Sequence, residues 1–404
     1  MERGPQGETV RQTTMARPFD AFVPKRLPPT PPVELTAERS ELLGRANRGL
    51  GRLDGVFSIL PEQHHFLYQY VRKEAVLSSQ IEGTQSSLSD LLLYETEALP
   101  GVPIDDVEEV SQYVKALNHG LGRIREGFPI SSRLIREIHG VLLSSGRGSD
   151  QAPGELRKTQ NWIGGAHPWD AVFVPPPADR IPDLMADLER FLHDMPARTP
   201  VLLKAALAHV QFETIHPFLD GNGRVGRLLI TLLLCDVDAL TEPLLYLSLY
   251  FKLNRQRYYE LLQRCRQAGD WEAWIDFFLA GVVETAEGAS QTARRVLGLF
   301  AEDRRRIESL GRRAGSALRV HELMQQWPVL TTSHAARHLS LSRPTITSAL
   351  ENLVDLGIVR QLSGRRRARV YVYIAYLDIL SEGTEPIRSH DREVQRSGRT
   401  EAVP

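Results

Sequence analysis

The sequence has little cysteine, almost no net charge and no long apolar run. Two cysteines in 404 residues, Cys235 and Cys265, exclude a disulfide scaffold and are too few for a zinc finger. Lys and Arg number 49 against 50 Asp and Glu, so attraction to nucleic acid or membrane would need a local patch. The apolar stretch near residues 228–235 is far shorter than the roughly 20 residues of a membrane helix, and no signal-peptide pattern opens the chain. We therefore expect a cytoplasmic protein.

The pattern of apolar residues predicts a mainly α protein. A chain of 404 residues suggests two or three domains of roughly 100–200 residues each. The prolines between positions 28 and 32 cannot lie in a helix, so residues 1–38 are predicted to be a disordered tail. The polar end predicts another tail at 381–404. Between the tails the predicted regions are an N-terminal helical region at 39–125, a helical core at 126–300, and a linker helix with a second module at 301–380.

The second module predicts three helices followed by two strands, an order that resembles a winged helix-turn-helix. Residues 315–380 contain eight Arg and no Lys against four Asp and Glu. Arg343 and Thr345 begin the third helix and could meet base edges in DNA. The turn between the strands offers further phosphate contacts from Arg365, Arg366, Arg367 and Arg369. DNA binding through residues 343–369 and a protein-docking or dimer role with solvated arginines both remain open.

Residues 216–227 read HPFLDGNGRVGR and concentrate the groups of a phosphate-transfer site. The Gly-Asn-Gly loop lies between two predicted helices, so backbone amides and a helix N-terminus can hold an anion. Arg224 and Arg227 can reach over the loop to phosphate oxygens. Asp220 is a hard oxygen ligand suited to Mg²⁺, and His216 can accept a proton from an attacking hydroxyl. The set fits transfer of a phosphorus-containing group from a nucleotide, and it lacks the Gly-Lys-Ser/Thr ending of a Walker A loop.

This string matches the Fic family signature HPFx(D/E)GNGRxxR at every specified position, and the resemblance extends over roughly residues 40–285. It implies a Fic-type helical core with a short β-hairpin flap, and transfer of AMP from Mg·ATP to a Ser, Thr or Tyr hydroxyl of a protein. By this resemblance His216 is the base and Asp220 the Mg²⁺ ligand. The nucleotide would contact Gly221, Asn222, Gly223, Arg224, Val225, Gly226 and Arg227, the last at the γ-phosphate. Doc-type kinases carry Ala-Asn-Lys in place of Gly-Asn-Gly, which favours AMP transfer here.

The flap is assigned to a predicted hairpin with arms at 161–165 and 171–174, closed by prolines. Strand addition to the flap at 161–174 would align a target protein without requiring one target sequence. The flap residues assigned to the site are Asn161, Trp162, Ile163 and Gly164. Tyr258 and Tyr259 fall where related proteins place aromatics around the adenine, and ordinary helix packing explains them equally well.

Residues 78–83, SSQIEG, resemble the inhibitory motif (S/T)xxxE(G/N) of Fic proteins. Ser78 and Glu82 lie on one helix face, and Gly83 offers a left-handed stop. The helix dipole disfavours a carboxylate at this end, so Glu82 needs a cationic partner. The family suggests Arg227, and that contact would remove the anchor of the γ-phosphate. A surface glutamate that ends a helix is the alternative, and in some relatives the same glutamate helps to remove AMP again.

Taken together, the residues and the resemblance predict a protein adenylyltransferase that uses ATP and Mg²⁺, releases pyrophosphate and is autoinhibited by Glu82. A homodimer is expected from resemblance alone. The alternatives are a DNA-binding transcriptional regulator with a nucleotide-sensing Fic core, and an enzyme that transfers another nucleotide. His64, His65 and His209 are not predicted to bind metal, because no cysteine or carboxylate completes a zinc set.

Overall fold

Residues 3–13, 17–58, 63–95, 104–362 and 369–386 are described by a computed structural model of the chain. The helices are α1 (Ala37–Ser58), α2 (Gln63–Ile81), α3 (Leu88–Glu95), α4 (Ile104–Arg125), α5 (Ser132–Leu142), α6 (Ile181–Leu192), α7 (Val201–Ile215), α8 (Asn222–Asp236), α9 (Ser248–Leu253), α10 (Arg255–Ala268), α11 (Trp271–Glu308), α12 (Ala314–Gln326), α13 (Thr332–His338), α14 (Arg343–Asp355) and α15 (Ile374–Ser381). The strands are β1 (Gly7–Gln12), β2 (Phe19–Pro24), β3 (Val329–Thr331), β4 (Val359–Leu362) and β5 (Val370–Tyr373). The predicted mainly α fold is confirmed.

Helix α7 forms the centre of the core, because every residue from Leu202 to Ile215 is buried. A helix without a polar face needs neighbours on all sides. Helices α6, α8, α10 and α11 supply them. Helix α4 packs against α2, α5 and α8, so it connects the N-terminal helices to the segment that carries the signature. Among the described helices, none is both long and apolar enough to cross a membrane.

The predicted N-terminal tail is wrong for the described part of residues 1–38. Strands β1 and β2 pair as an antiparallel hairpin from Gly7 opposite Pro24 to Gln12 opposite Phe19. Every second residue of β2 is buried, with Ala21 at 0% and Val23 at 4% exposure. This alternation is typical of a strand with one face against a core, and the face packs on the flap described below. The prolines at positions 28–32 therefore do not prevent the preceding residues from forming a β-hairpin.

The predicted boundary at residue 300 is also wrong, because it falls inside the continuous helix α11. Beyond α11, the three predicted helices and two strands are present as α12, α13, α14, β4 and β5. Strand β3 adds a third strand in the antiparallel order β3-β5-β4. The likeness to a winged helix stays a prediction, since Arg365, Arg366 and Arg367 lie outside the described residues.

Residues 382–386, which follow α15, pack against the helical core, and this corrects the start of the predicted tail at 381. Thr384 is 1% exposed, and its carbonyl accepts a 2.7 Å hydrogen bond from Gln80 Nε2 on α2. Lys252 Nζ donates to the carbonyl oxygens of Gly383 at 2.9 Å and Glu385 at 2.6 Å. We call residues 382–386 the C-terminal strap, because they connect α15 to the end of α2.

Candidate active site

The signature forms a tight loop between α7 and α8. His216 ends α7 in the left-handed region, with φ 49°. Gly221 precedes α8 at φ 78°, a conformation that glycine adopts without a steric penalty. Asn222 closes the loop, since its Oδ1 accepts from Phe218 N at 2.9 Å and its Nδ2 donates to Phe218 O at 2.8 Å. Asn222 therefore shapes the loop with its side chain.

His216 is 8% exposed, and its Nδ1 is buried without a hydrogen-bond partner among the described residues. Burial, followed by the charges of Arg157 and Arg266, lowers the pKa of His216 to about 3. The Arg157 Nε donates to the backbone carbonyl of His216 at 2.9 Å, which fixes the backbone there. The imidazole is therefore neutral at physiological pH, the state that a proton acceptor requires.

A second histidine, His139 on α5, contacts the loop and stabilises it. This role was not predicted from the sequence. Its ring stacks on Phe218 with centroids 3.7 Å apart and planes 5° apart. Gly154 N donates to Nδ1 at 2.8 Å, so Nε2 carries the proton and donates to Asp220 O at 3.0 Å. Burial lowers the pKa of His139 to about 4, consistent with this neutral form. The sequence showed only a histidine within an apolar helix face, which is not a signal for a loop support.

Asp220 points to the open side of the loop, with 36% of its side chain exposed. Its Oδ1 accepts from Gly221 N at 2.6 Å, which orients the carboxylate. The described residues contain no cluster of three or more His, Cys, Asp or Glu that could hold a metal alone. A single exposed carboxylate suits Mg²⁺, which commonly binds one or two carboxylates together with water and substrate phosphates.

Arg227 lies in an ion pair with Glu82 at the end of α2. Its Nη2 is 2.7 Å from Glu82 Oε1, and its Nε and Nη2 contact Ser78 Oγ at 2.8 Å and Ser78 O at 3.0 Å. A Cβ at position 223 would lie 2.2 Å from Glu82 Oε1, so Gly223 is needed for this approach. Gly83 follows with φ 103°. The predicted contact between Glu82 and Arg227 is therefore present.

The electrostatics of the pair favour a charged Glu82. Burial acts to raise the pKa of this carboxyl, but the nearby Arg227, Arg224 and Arg255 outweigh it and the pKa lies below its usual value. A further carboxyl, Glu213 on α7, is buried close to Arg227, and burial raises its pKa to about 7. Its Oε1 has no hydrogen-bond partner among the described residues. The sequence did not reveal Glu213, because a lone glutamate in an apolar helix carries no pattern.

The other signature arginine, Arg224, is 0% exposed and pairs with Glu109 of α4. Its Nη1 lies 2.9 Å from Glu109 Oε1, and its Nη2 lies 3.5 Å from Asp220 Oδ1. Val225 is buried in α8, and the carbonyl of Gly226 accepts from His209 Nδ1 at 3.0 Å. Both arginines that were expected to reach over the loop therefore form ion pairs with glutamates of the N-terminal region.

The flap is shorter than predicted, since it contains a single bridge between Ile163 and Phe173. Asn161 Nδ2 donates to Phe218 O at 3.0 Å and ties the flap to the loop. Trp162 is 2% exposed and packs with Phe19 and Val174, so its side chain belongs to a small core beneath the N-terminal hairpin.

The two edges of the flap differ. Phe22 N of β2 donates to Val174 O at 2.9 Å, so the N-terminal hairpin occupies the edge of the second arm. Trp162 and Gly164 on the first arm make no backbone hydrogen bond with another described residue. The edge at residues 162–164 is therefore the one without backbone pairing, although Trp162 and Gly164 are themselves buried.

The two tyrosines occupy different environments. Tyr258 is 1% exposed, and its hydroxyl pairs with His209 Nε2 at 2.7 Å, which agrees with the packing alternative. Tyr259 is 39% exposed, with the Arg255 guanidinium 5.0 Å from its ring centroid. Only Tyr259 therefore presents an accessible ring for a base.

Two family models match the chain: Fic/DOC family N-terminal over residues 40–122 and Fic/DOC family over residues 129–234. The protein adenylyltransferase Fic of Drosophila yakuba is 31% identical over 201 residues, which are 49% of this chain and 37% of that protein. The protein of the same name from Culex quinquefasciatus is 29% identical over 261 residues, 60% of this chain and 47% of that protein. The matched part thus spans less than half of each relative's length.

Solved structures show the same fold. A Fic family protein from Desulfovibrio desulfuricans superposes with a TM-score of 0.56 at 22% identity, covering 85% of this chain and 97% of that one. A Fic domain containing signaling protein from Bacteroides thetaiotaomicron gives a TM-score of 0.51 at 19% identity, covering 62% of this chain and 97% of that one. At these identities the likeness concerns the fold alone.

Proposed function

Because the chain belongs to the Fic/DOC family, we propose that it is a protein adenylyltransferase that transfers AMP from Mg·ATP to a protein hydroxyl and is inhibited by its own Glu82. The observation that carries the proposal is the ion pair between Glu82 and Arg227 beside a buried, neutral His216. A neutral histidine next to a loop built for phosphates is suited to phosphoryl-group chemistry.

The proposed reaction begins with His216. The imidazole accepts the proton of the target hydroxyl, and the hydroxyl oxygen bonds to the α-phosphorus of ATP. The bond from that phosphorus to the bridging oxygen breaks, and pyrophosphate leaves. The backbone amides at the start of α8 face the developing phosphate charge. Asp220 would hold Mg²⁺, which neutralises charge on the phosphates when it is bound.

Inhibition follows from competition for one guanidinium. Arg227 is 2% exposed at its side chain and already has Glu82 as its anionic partner. A γ-phosphate needs the same donors, so Glu82 must leave before ATP can bind with its phosphate chain in place. The Glu82 side chain is 29% exposed, which leaves room for it to move.

The target protein is proposed to add a strand to the flap edge at residues 162–164, whose backbone groups at Trp162 and Gly164 have no backbone partner among the described residues. The hairpin β1–β2 covers the opposite edge, so an extended target segment has one edge to pair with. Pairing through the backbone aligns a Ser, Thr or Tyr hydroxyl without selecting the sequence around it. A homodimer is proposed from family resemblance alone, and sedimentation at several concentrations tests it.

The deciding experiment incubates Glu82→Gly protein with Mg²⁺ and ATP labelled at the α-phosphate, beside wild type and Glu82→Gly/His216→Ala. Label on protein that rises without Glu82 and is lost without His216 supports the proposal. Loss of His216 is expected to lower transfer by at least about a hundredfold. Incorporation of γ-label instead would identify a kinase, and lower activity in Glu82→Gly would make Glu82 catalytic. Labelled GTP and UTP test the alternative donors.

A DNA-binding role for the C-terminal module is a second proposal. Arg343 and Ser348 are exposed on α14, as a helix that reads a groove requires. Thr345 is less available, because its Oγ1 lies 2.7 Å from Ser342 Oγ in the helix cap. Arg369 lies 3.8 Å from Glu351, and this neighbouring negative charge weakens the attraction of Arg369 for a phosphate. A salt-dependent shift in the electrophoretic mobility of duplex DNA on adding the protein would support this role, and the absence of a mobility shift at low salt would contradict it.

A further inference from the structure

The signature holds a second ion pair, between Arg224 and Glu109, that lies deeper than the inhibitory one. Arg224 comes from α8, and Glu109 comes from α4 in the N-terminal region. Their side chains are 1% and 2% exposed, and Nη1 lies 2.9 Å from Oε1. A buried guanidinium without a counter-charge is strongly unfavourable, so the position of Arg224 depends on Glu109.

The pair belongs to a row of alternating charges that ends at the proposed metal ligand. Arg147 Nε lies 3.7 Å from Glu109 Oε2, and its side chain is 44% exposed. At the other end, Arg224 Nη2 lies 3.5 Å from Asp220 Oδ1. The order is Arg147, Glu109, Arg224 and Asp220. Glu109 is thus shared by two arginines, while Asp220 is approached by Arg224 at a distance longer than a close ion pair.

This spacing has a consequence for Asp220. Among the described residues, the ion pairs of Arg224 are with Glu109 and Asp220 only. When Glu109 loses its charge, the guanidinium has Asp220 as its remaining carboxylate partner and is expected to close on it. A carboxylate that is fully engaged by an arginine is a poorer ligand for Mg²⁺, because both cations need the same oxygen lone pairs.

We propose that Glu109 is a positioning residue: it holds Arg224 away from Asp220, so that the Asp220 carboxylate stays available to Mg²⁺ and Arg224 stays available to the phosphates. Arg224 has a donor to offer, since its Nε lacks a hydrogen-bond partner among the described residues while Nη1 contacts Glu109. The inference rests on the proposed function for the identity of the ligand, Mg·ATP. Its geometric part concerns only the chain's own residues.

The test compares Glu109→Gln with its parent in the full-length Glu82→Gly/His216→Ala protein, in which loss of the proposed base prevents transfer during the titration. Calorimetry measures ATP affinity in Mg²⁺ and in EDTA. The gain in affinity that Mg²⁺ provides should fall by about tenfold in Glu109→Gln, while affinity in EDTA stays within about twofold. Glu108→Gln, the same change one residue earlier on α4, is the matched control and should leave both values unchanged. An unchanged Mg²⁺ gain in Glu109→Gln would overturn the proposal, and so would an equal loss with and without Mg²⁺.

A double-mutant cycle separates positioning from general damage. If Glu109 acts through Arg224, Glu109→Gln should change the Mg²⁺ gain by less than about twofold in an Arg224→Gln background. A full tenfold loss there would contradict action through Arg224. Should Glu109→Gln not fold, Glu109→Asp keeps the charge but shortens the reach, and a Mg²⁺ gain equal to the parent's would count against the proposal. Because binding is measured without transfer, failure of AMP transfer alone would refute only the proposed function.

Discussion

Arg224 and Arg227 lie on the same helix, and each is paired with a glutamate from the N-terminal region, yet the two pairs are built differently. Glu109 is 2% exposed at its side chain, whereas Glu82 is 29% exposed and sits at the end of its helix. Glu109 lies within α4, packed between α2, α5 and α8. A carboxylate within a packed helix cannot withdraw without moving the helix, whereas one at a helix end can rotate into solvent.

The arginines also differ in what remains when the glutamate is lost. Arg227 keeps two contacts with Ser78 and has the carboxyl of Glu213 nearby. Arg224 keeps only the distant Asp220 among its ion-pair partners in the described chain. These differences agree with the two proposals, in which the pair of Glu82 and Arg227 opens and closes as a brake and the pair of Glu109 and Arg224 is a fixed support. The same residue types at neighbouring positions have opposite uses because burial and helix position differ.

The largest predicted difference is in stability. Glu109→Gln removes the close carboxylate partner of a buried arginine and leaves only the more distant Asp220 in the described part of the chain, so it should lower the free energy of unfolding by about 3 kcal/mol. Glu82→Gln breaks a partly exposed pair whose arginine has other partners, so it should cost about 1 kcal/mol or less. Urea unfolding of both variants and of wild type measures the two losses in free energy of unfolding. The comparison is direct because both variants replace a glutamate by glutamine. Equal losses would show that the two pairs do not differ in the way their burial indicates.

Nucleotide binding sharpens the same comparison. Glu82→Gly should tighten the binding of ATP in Mg²⁺ by about tenfold, because the γ-phosphate gains Arg227. ADP has no γ-phosphate, so its affinity should change by no more than about twofold. Calorimetry with ATP and with ADP measures the two changes in affinity. His216→Ala is the control, because it removes the proposed base but none of the proposed phosphate contacts. Equal tightening for ATP and ADP would mean that Glu82 obstructs the site without competing for Arg227.

Part of this comparison could be predicted from the sequence. The inhibitory motif and the signature together indicated the pair of Glu82 and Arg227, because each lies in a short pattern with a known partner. Glu109 lies in no such pattern, and its contact with Arg224 arises only when α4 packs on α8. His139 and Glu213 are missed for the same reason: each is a polar residue in an apolar helix, and only its neighbours in space define its role.

The two ends of the chain show another limit. In β2, the buried residues Phe19, Ala21 and Val23 alternate with the exposed Asp20 and the half-buried Phe22, which is a strand pattern. The prolines that follow suggested a tail instead, because proline excludes helix but says nothing about a strand before it. At the other end, Thr384 is buried by α2, a helix far away in sequence, and no local pattern reports such packing.

Glu213 provides a pH test of the fallback partner of Arg227. Burial raises the pKa of Glu213 to about 7, so the carboxyl is neutral below that pH and ionised above it. Its ionised form competes with phosphate for Arg227. Glu82 also raises this pKa, so in Glu82→Gly protein the pKa of Glu213 lies lower, and ATP affinity should fall about threefold as pH rises from about 5 to about 8. Glu213→Gln should remove this pH dependence of ATP affinity, except for the part that comes from the titration of ATP itself. If the full pH dependence persists in that variant, a group other than Glu213 causes it.

The smallest predicted effect concerns the C-terminal strap, which secures the helix that carries the brake. Gln80 Nε2 donates to Ser86 O at 2.8 Å and Thr384 O at 2.7 Å, two residues before Glu82. Gln80→Leu removes both hydrogen bonds and should loosen the end of α2, raising AMP transfer of the otherwise wild-type protein by about two- to threefold. Gln69→Leu is the matched control, since Gln69 makes a similar 3.0 Å bond to Gln326 O farther from Glu82.

The strap acts on the brake only if its effect depends on Glu82. Gln80→Leu should therefore change transfer by less than about 1.5-fold in the Glu82→Gly background, where no pair is left to open. An equal rise with and without Glu82 would show that the strap affects catalysis itself, and an equal rise in Gln69→Leu would show a general loosening of α2. Dependence on Glu82, confined to Gln80, would mean that the C-terminal module contributes to the exposed pair and leaves the buried one unchanged.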